Sequence, residues 1–217
     1  MANQSGSVYG LTILSPIKDD PNDDISHNCA IRIYLAELAR RRTESKDPGP
    51  FAKVSSTHLA RLVVMDDVVY VGMPACEDHL KSQYLVFESN FDGDLDDYLG
   101  CMAREIPDDV ESVWSHCVGY PGVADVAKFT EYMKKCQLTT TFYFADVNNK
   151  TVQQTLRALQ TQKALADFIE QNQGKPPAEL QQALAVFLNT KRPEPAPGVP
   201  GIGGMPCIET NMEWHLK

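Results

Sequence analysis

The sequence lacks the short motifs by which common catalytic and metal sites are recognised. The glycine-rich residues 201–204 follow no predicted strand, so they do not form a phosphate-binding loop, and neither Gly-x-Ser-x-Gly nor His-Glu-x-x-His occurs. The six cysteines are scattered and no two have Cys-x-x-Cys spacing, which argues against a structural zinc site. No metal site is therefore predicted.

The sequence also has little that would direct it to a membrane, the secretory pathway or nucleic acid. The first ten residues are polar, and no run approaches the ~20 apolar residues of a membrane span. The net charge of -9 disfavours binding to nucleic acid phosphates. We therefore predict a cytoplasmic protein with reduced cysteines, no membrane span and no nucleic-acid partner.

Apolar periodicity predicts four strands and several helices. Alternating or β-branched runs indicate strands at residues 8–17, 57–65, 83–91 and 138–146. Helical spacing of apolar residues indicates helices at residues 26–42, 95–106, 110–117 and 125–136. The order β-α-β-β-α-β predicts an α+β fold of the ferredoxin-like kind, an antiparallel sheet with its helices on one face.

The pattern divides the chain into three parts. Residues 1–147 form the predicted ferredoxin-like domain. Residues 148–191 form a helical extension, with helices predicted at 151–173 and 178–189. Residues 192–217 are rich in proline and glycine at their start and are predicted to be an irregular tail.

Alternation along the strands predicts one polar group on the open face of the sheet, the face without helices. Side chains of successive strand residues point to opposite faces, which places Arg61, Glu88, Asn90 and Tyr143 together. Arg61 and Glu88 form either a cross-strand ion pair or part of a ligand site in which Arg61 binds a carboxylate. His58 has the opposite parity and faces away unless a bulge intervenes.

Two further segments contain candidate functional residues. His116 beside a helix end, followed by Tyr120 in a Gly-Tyr-Pro-Gly turn, suggests an imidazole at the mouth of a cavity, whereas a surface histidine next to a buried Cys117 is the simpler interpretation. The acidic residues 92–97 do not match a calcium-binding loop and instead suit the cap and first turn of a helix.

The order of elements over residues 7–147 resembles the dimeric α/β-barrel superfamily, in which two ferredoxin-like sheets pair into a barrel. The resemblance implies a homo-oligomer and a small-molecule ligand on the open face. Arg61, His116 and Tyr143 would then be catalytic candidates, and Glu88, Asn90 and Tyr120 candidates for substrate binding. The superfamily includes monooxygenases without cofactors and haem enzymes such as dye-decolourising peroxidases. Residues 90–93 lack the leading glycine of the peroxidase Gly-x-x-Asp-Gly motif, so no peroxidase residues are carried over.

Three functions remain open on these residues. The first is a small-molecule-binding protein or enzyme, with oxidative chemistry as one option and no cofactor predicted. The second is a haem-dependent enzyme with His116 or His58 as the axial ligand. The third is a non-catalytic interaction module that dimerises through the sheet face and the C-terminal helices.

Overall fold

The structure is a computed structural model that describes residues 3–20, 25–45, 47–68 and 79–191. The chain divides into two compact units, with the boundary between Thr151 and Val152. The described residues of the first unit form a four-stranded antiparallel sheet and four α-helices. The predicted α+β class and antiparallel sheet are therefore confirmed.

The sheet consists of one very short and three long strands in the order β1-β2-β4-β3. Its strands are β1 Gln4–Ser5, β2 Val8–Pro16, β3 Thr57–Met65 and β4 Tyr84–Asp92. Along β4, Leu85, Phe87, Ser89 and Phe91 are buried and alternate with partly exposed residues. This alternation is the signature of a sheet with one face on the core and the other accessible to water.

Four helices cover one face of this sheet. They are α1 His27–Glu44, α2 Leu95–Glu105, α3 Pro107–Trp114 and α4 Val126–Lys135. Ser26, Asp94 and Asp125 cap the N-termini of α1, α2 and α4 by accepting hydrogen bonds from backbone N–H groups. The acidic residues near position 94 therefore serve the start of a helix, as the sequence predicts.

Aromatic rings fill the core between the sheet and the helices. Phe91 on β4 stacks on Tyr9 of β2 and on Tyr98 of α2, with ring centroids 5.2 and 3.8 Å away. Phe87 meets the edge of Trp114 at 5.3 Å. These contacts fix the helical layer on the face formed by odd-numbered residues of β2 and β4, which leaves the even-numbered residues on the open face.

The predicted fourth strand at residues 138–146 is wrong. The sheet's remaining strand is instead β1, near the N-terminus. Residues 138–146 form no strand, and an isolated β-bridge joins Ile13 to Gln137, just before this segment. Side chains near the N-terminus take the place of a ladder: Asn3 accepts from the backbone of Thr140, and Ser5 accepts from that of Ala145. Strand propensity depends on context, and here polar side chains satisfy the backbone instead. The ferredoxin-like order βαββαβ is therefore not reproduced.

The predicted helix at residues 110–117 also needs correction. The helix α3 begins at Pro107 and ends at Trp114, so His116 and Cys117 lie in the turn that follows. Proline suits the first helical turn because its missing N–H has no helical acceptor there. Cys117 then bridges to Ile17, and Val118 donates to the carbonyl of Pro16, which ties this turn to the end of β2.

The described part of the second unit, residues 152–191, contains two helices, α5 Val152–Gln171 and α6 Pro177–Lys191. Gly174 adopts a φ of 76° in the turn between them, a conformation that glycine reaches at little cost. Asn172 stabilises the turn by donating to the carbonyl of Phe168 at 2.7 Å and accepting from Lys175 at 2.7 Å. Phe168 and Phe187 bring the two helices together with ring centroids 4.8 Å apart.

The described residues also bear on the predictions of reduced cysteines and of no membrane span. Cys29, Cys101, Cys117 and Cys136 are all free thiols, while Cys76 and Cys207 lie outside the described residues. No described helix combines the length and apolarity needed to cross a bilayer. The predicted tail at 192–217 also lies outside the described residues.

Candidate functional site

Arg61 and Glu88 face each other across the β3–β4 ladder on the open face of the sheet. The register pairs the two residues directly, and the guanidinium Nη2 donates to the Glu88 carboxylate. The side chains are 62% and 34% exposed, so water screens the pair. The structure therefore contains the predicted cross-strand ion pair.

Asn90 and Tyr143 lie on the same face of the sheet as this ion pair. Asn90 has the parity of Glu88 and pairs with Gly10 of β2. A Cβ built on Gly10 would lie 2.6 Å from the Tyr143 ring, so the ring rests directly on the glycine backbone. Burial against this strand raises the pKa of the Tyr143 hydroxyl. A glycine inside a strand often marks such a close approach, and Gly10 is the sequence signal that could have revealed it.

Apolar side chains flank the ion pair along the edge strand. Leu59 and Val63 lie two residues before and after Arg61 and are 51% and 42% exposed. Val63 pairs with Val86 of β4, which is partly exposed. We call the side chains of Leu59, Arg61, Val63, Val86 and Glu88 the open-face patch. Its residues are neighbours on two paired strands of one sheet.

His58 lies beside this patch because β3 contains a bulge. The register shifts between Thr57, which pairs with Phe91, and Leu59, which pairs with Asn90. The extra residue of a bulge leaves the strand alternation. The His58 Nε2 thereby reaches the Asp92 carboxylate at 2.8 Å, and Asp92 has the parity of the open face. The exception that the sequence analysis allowed for a bulge therefore applies to His58.

The structure places His116 and Tyr120 apart from the open-face patch. The Nδ1 atoms of His116 and His27 share a hydrogen bond of 2.9 Å at the start of α1. Tyr120 packs edge-on against Phe129 and Tyr132. Burial and the nearby Glu111 carboxylate raise the pKa of Tyr120. Neither residue contacts Arg61 in the structure. The hydrogen bond between His116 and His27 could not be predicted, because no sequence pattern links these two positions.

A second candidate site is the outer surface of α5 and α6. Among the described side chains of α5 and α6, Val152 at the start of α5 is the one that is buried. Six large apolar side chains are 38–55% exposed, and we call them the helical surface: Leu159, Leu165, Ile169, Leu180, Leu184 and Leu188. Isolated apolar residues are common on protein surfaces, and these six are distributed over two helices of 20 and 15 residues.

The histidines proposed as axial ligands do not fit a haem site. Haem requires an apolar cavity beside the ligating imidazole. His58 hydrogen-bonds Asp92 at the edge of the open face, and His116 hydrogen-bonds His27. Neither ring belongs to the buried core cluster. Within the described part of the chain, no three His, Cys, Asp or Glu side chains are grouped as metal ligands.

Comparison with known proteins identifies no relative. No family model matches the sequence, and neither a curated protein nor a solved structure matches the chain.

Proposed function

We propose that the protein is a self-associating interaction module in which the open-face patch of one copy docks on the same patch of a second copy. The supporting observation is the pair of exposed apolar residues, Leu59 and Val63, on either side of the Arg61–Glu88 ion pair. Small-molecule sites are concave and enclose most of the ligand, whereas this patch consists of exposed, neighbouring side chains on the face of one sheet. A partly apolar, exposed patch with a central arginine suits a protein partner better.

The charges of the patch suit a copy of itself. Arg61 and Glu88 lie side by side on neighbouring strands. A two-fold axis lying between the two facing sheets, parallel to β3 and β4 and midway between them, would place Arg61 of each copy over Glu88 of the other. Val63 of each copy would then meet Val86 of the other, and both would lose their contact with water. The patch is thus self-complementary in both charge and hydrophobicity.

The experiment compares sedimentation of the full chain with that of two variants. The double variant Leu59→Ser and Val63→Ser removes the apolar flanks and should lower the mass of the assembly by one association step. Ile33→Ser is the matched control, because Ile33 is 57% exposed but lies on α1. Circular dichroism confirms that each variant is folded. An unchanged mass in the double variant would refute the proposed function.

Arg61→Met provides an independent test of the same contact. Within one copy the exposed ion pair contributes at most about 1 kcal/mol, so the variant should unfold at nearly the wild-type temperature. Between two copies the loss leaves both Glu88 carboxylates facing an apolar surface, which should weaken association. A large loss of stability in the monomer without weaker association would instead show that Arg61 supports the fold alone.

A further inference from the structure

We propose that His27 and His116 together form a binding site for a divalent transition-metal ion such as Zn²⁺ or Ni²⁺, with water completing the coordination. The site uses no residue of the open-face patch and does not depend on the proposed function. The two Nδ1 atoms lie 2.9 Å apart, although His27 begins α1 and His116 follows α3, 89 positions along the chain. Imidazole nitrogen is a preferred ligand of such ions.

The spacing of the two nitrogen atoms is that of neighbouring ligands on one metal ion. Metal–nitrogen bonds of about 2.05 Å place two nitrogen atoms about 2.9 Å apart at a right angle and about 3.3 Å apart at a tetrahedral angle. The observed separation of 2.9 Å matches the first value and is close to the second. The ring planes are tilted by 53° and do not stack. One ion can therefore contact both nitrogen atoms.

The hydrogen bond between the two rings shows that their Nδ1 atoms point toward each other. One ring donates its Nδ1–H, and the other accepts through an Nδ1 lone pair. When the donor ring carries its proton on Nε2 instead, both Nδ1 atoms present lone pairs to the same point. A cation then takes the place of the shared proton.

The backbone holds both histidines in position before any ion binds. Ser26 caps the helix that His27 begins, by accepting a hydrogen bond from a backbone N–H group of the first turn. The carbonyl of His116 accepts from the backbone N–H of Lys18 at 3.0 Å, which ties the turn after α3 to the chain that leaves β2. Ligands on elements fixed in this way need little rearrangement to bind an ion.

The charges and the exposure around the two rings are compatible with a bound cation. Lys18 donates its side chain to the carbonyl of Ser115, and the N-terminus of α1 adds a partial positive charge. Asp19 and Asp20 directly follow Lys18 and offset this positive charge. Both histidine side chains are only partly buried, so water can reach an ion between them.

Two other described histidines provide controls because each has a carboxylate as a neighbour. His58 lies 2.8 Å from the Asp92 carboxylate, and His79 lies 2.6 Å from that of Asp67. Each pair thus offers one imidazole and one carboxylate, which are also ligand types for a divalent cation. A test that separates these pairs from the two facing histidines is therefore specific for the proposed site.

The first experiment is a calorimetric titration of the untagged full chain with Zn²⁺ and with Ni²⁺. We expect His27→Gln and His116→Gln each to weaken the binding of one ion per chain at least about tenfold. Glutamine keeps a hydrogen-bonding group but removes the imidazole ligand, and circular dichroism checks that each variant is folded. His58→Gln and His79→Gln should bind the ion as wild type does. The proposal is overturned by wild-type affinity in either of the first two variants, or by no binding up to about 1 mM ion.

The second experiment reads the two rings directly by ¹⁵N NMR of the imidazoles. Zn²⁺ should shift the Nδ1 resonances of His27 and His116 and leave both rings protonated on Nε2, whereas a purely structural role predicts no shift. In thermal unfolding, Zn²⁺ should raise the wild-type melting temperature as its concentration rises, because it binds the folded state. Mg²⁺, which prefers oxygen ligands, should not. A rise with Zn²⁺ that survives in His27→Gln would show that the ion binds elsewhere and would overturn the proposal.

Discussion

At the scale of single residues, Asp67 shows how local hydrogen bonds make stability depend on pH. The His79 side chain, followed by the backbone N–H groups of Leu80 and Val68, lowers the pKa of Asp67 to about 2 from 3.8. Because the folded pKa lies below the unfolded one, the contribution is present above pH 3.8 and is lost as the pH falls toward 2. This carboxylate holds together the chain on both sides of residues 69–78.

We expect Asp67→Asn to melt below wild type at pH 5 and to approach the wild-type melting temperature as the pH falls from about 4 to about 2. His79→Ala should reproduce part of this difference, since it removes one of the three donors. The measurement is a series of thermal unfolding curves across this range. A difference that stays constant down to pH 2 would show that Asp67 acts by packing and not by its charge.

The described thiols should differ sharply in reactivity. Burial, together with the nearby Cys136, raises the pKa of Cys117 to about 12. Cys117 is therefore protonated at pH 8, and its side chain is fully buried, whereas Cys29 is exposed. We expect iodoacetamide to modify Cys29 and spare Cys117 in the native protein, as read by peptide mass spectrometry. Both should react in denaturant, and equal native rates would contradict the buried placement.

At the scale of elements, the contact between Gly10 and Tyr143 holds the irregular segment after α4 against β2. A larger residue at position 10 would overlap the ring, which lies 2.6 Å from where its Cβ would stand. We expect Gly10→Val to lower the free energy of unfolding by about 1–3 kcal/mol. The double variant Gly10→Val with Tyr143→Ala should lose less unfolding free energy than the sum of the losses in the two single variants, because removing the ring also removes the overlap with valine. Simple additivity in chemical denaturation would show that the two residues are not in contact.

The same region shows how far the sequence determines the elements. The three long strands follow from alternation of apolar residues, which is clearest in β4, where buried residues alternate with partly exposed ones, and weaker in β3, where partly buried residues alternate with exposed ones along its middle. Residues 138–146 have strand-forming threonines and aromatics, yet Phe142 and Phe144 are 82% and 68% exposed. The hydrogen bonds to Asn3 and Ser5 that replace the ladder join residues 137 and 140 positions apart, so they leave no local pattern. Propensity alone cannot detect them.

The candidate site is predictable to the same degree. Strand parity correctly places Arg61 opposite Glu88, because both strands are regular at that point. It fails for His58, since a bulge changes parity without a clear mark in the sequence. The exposure of the helical surface also depends on tertiary structure, because the apolar spacing of α5 and α6 predicts equally well a helix that is covered.

At the scale of the whole molecule, the proposed contact between two open-face patches would give a dimer. The contact is isologous, so a single two-fold axis closes the assembly. Disrupting the patch should leave monomers, and it should leave the binding of Zn²⁺ by His27 and His116 unchanged. Sedimentation and metal titration therefore test the two proposals separately.

The charge of the first unit should govern how this assembly responds to salt. Its 23 acidic residues exceed its 14 basic residues, so bringing copies together costs electrostatic repulsion, whereas burial of the apolar side chains of the open-face patch is not screened. Raising the salt concentration from about 0.02 to about 0.5 M shortens the Debye length to a few ångströms and suppresses that repulsion. We expect wild-type association to tighten over this range in sedimentation equilibrium. Lys135→Glu, which makes the first unit more acidic, should steepen the dependence. Association that instead weakens with salt would mean that ion pairs such as Arg61–Glu88, and not the leucines and valines, hold the copies together.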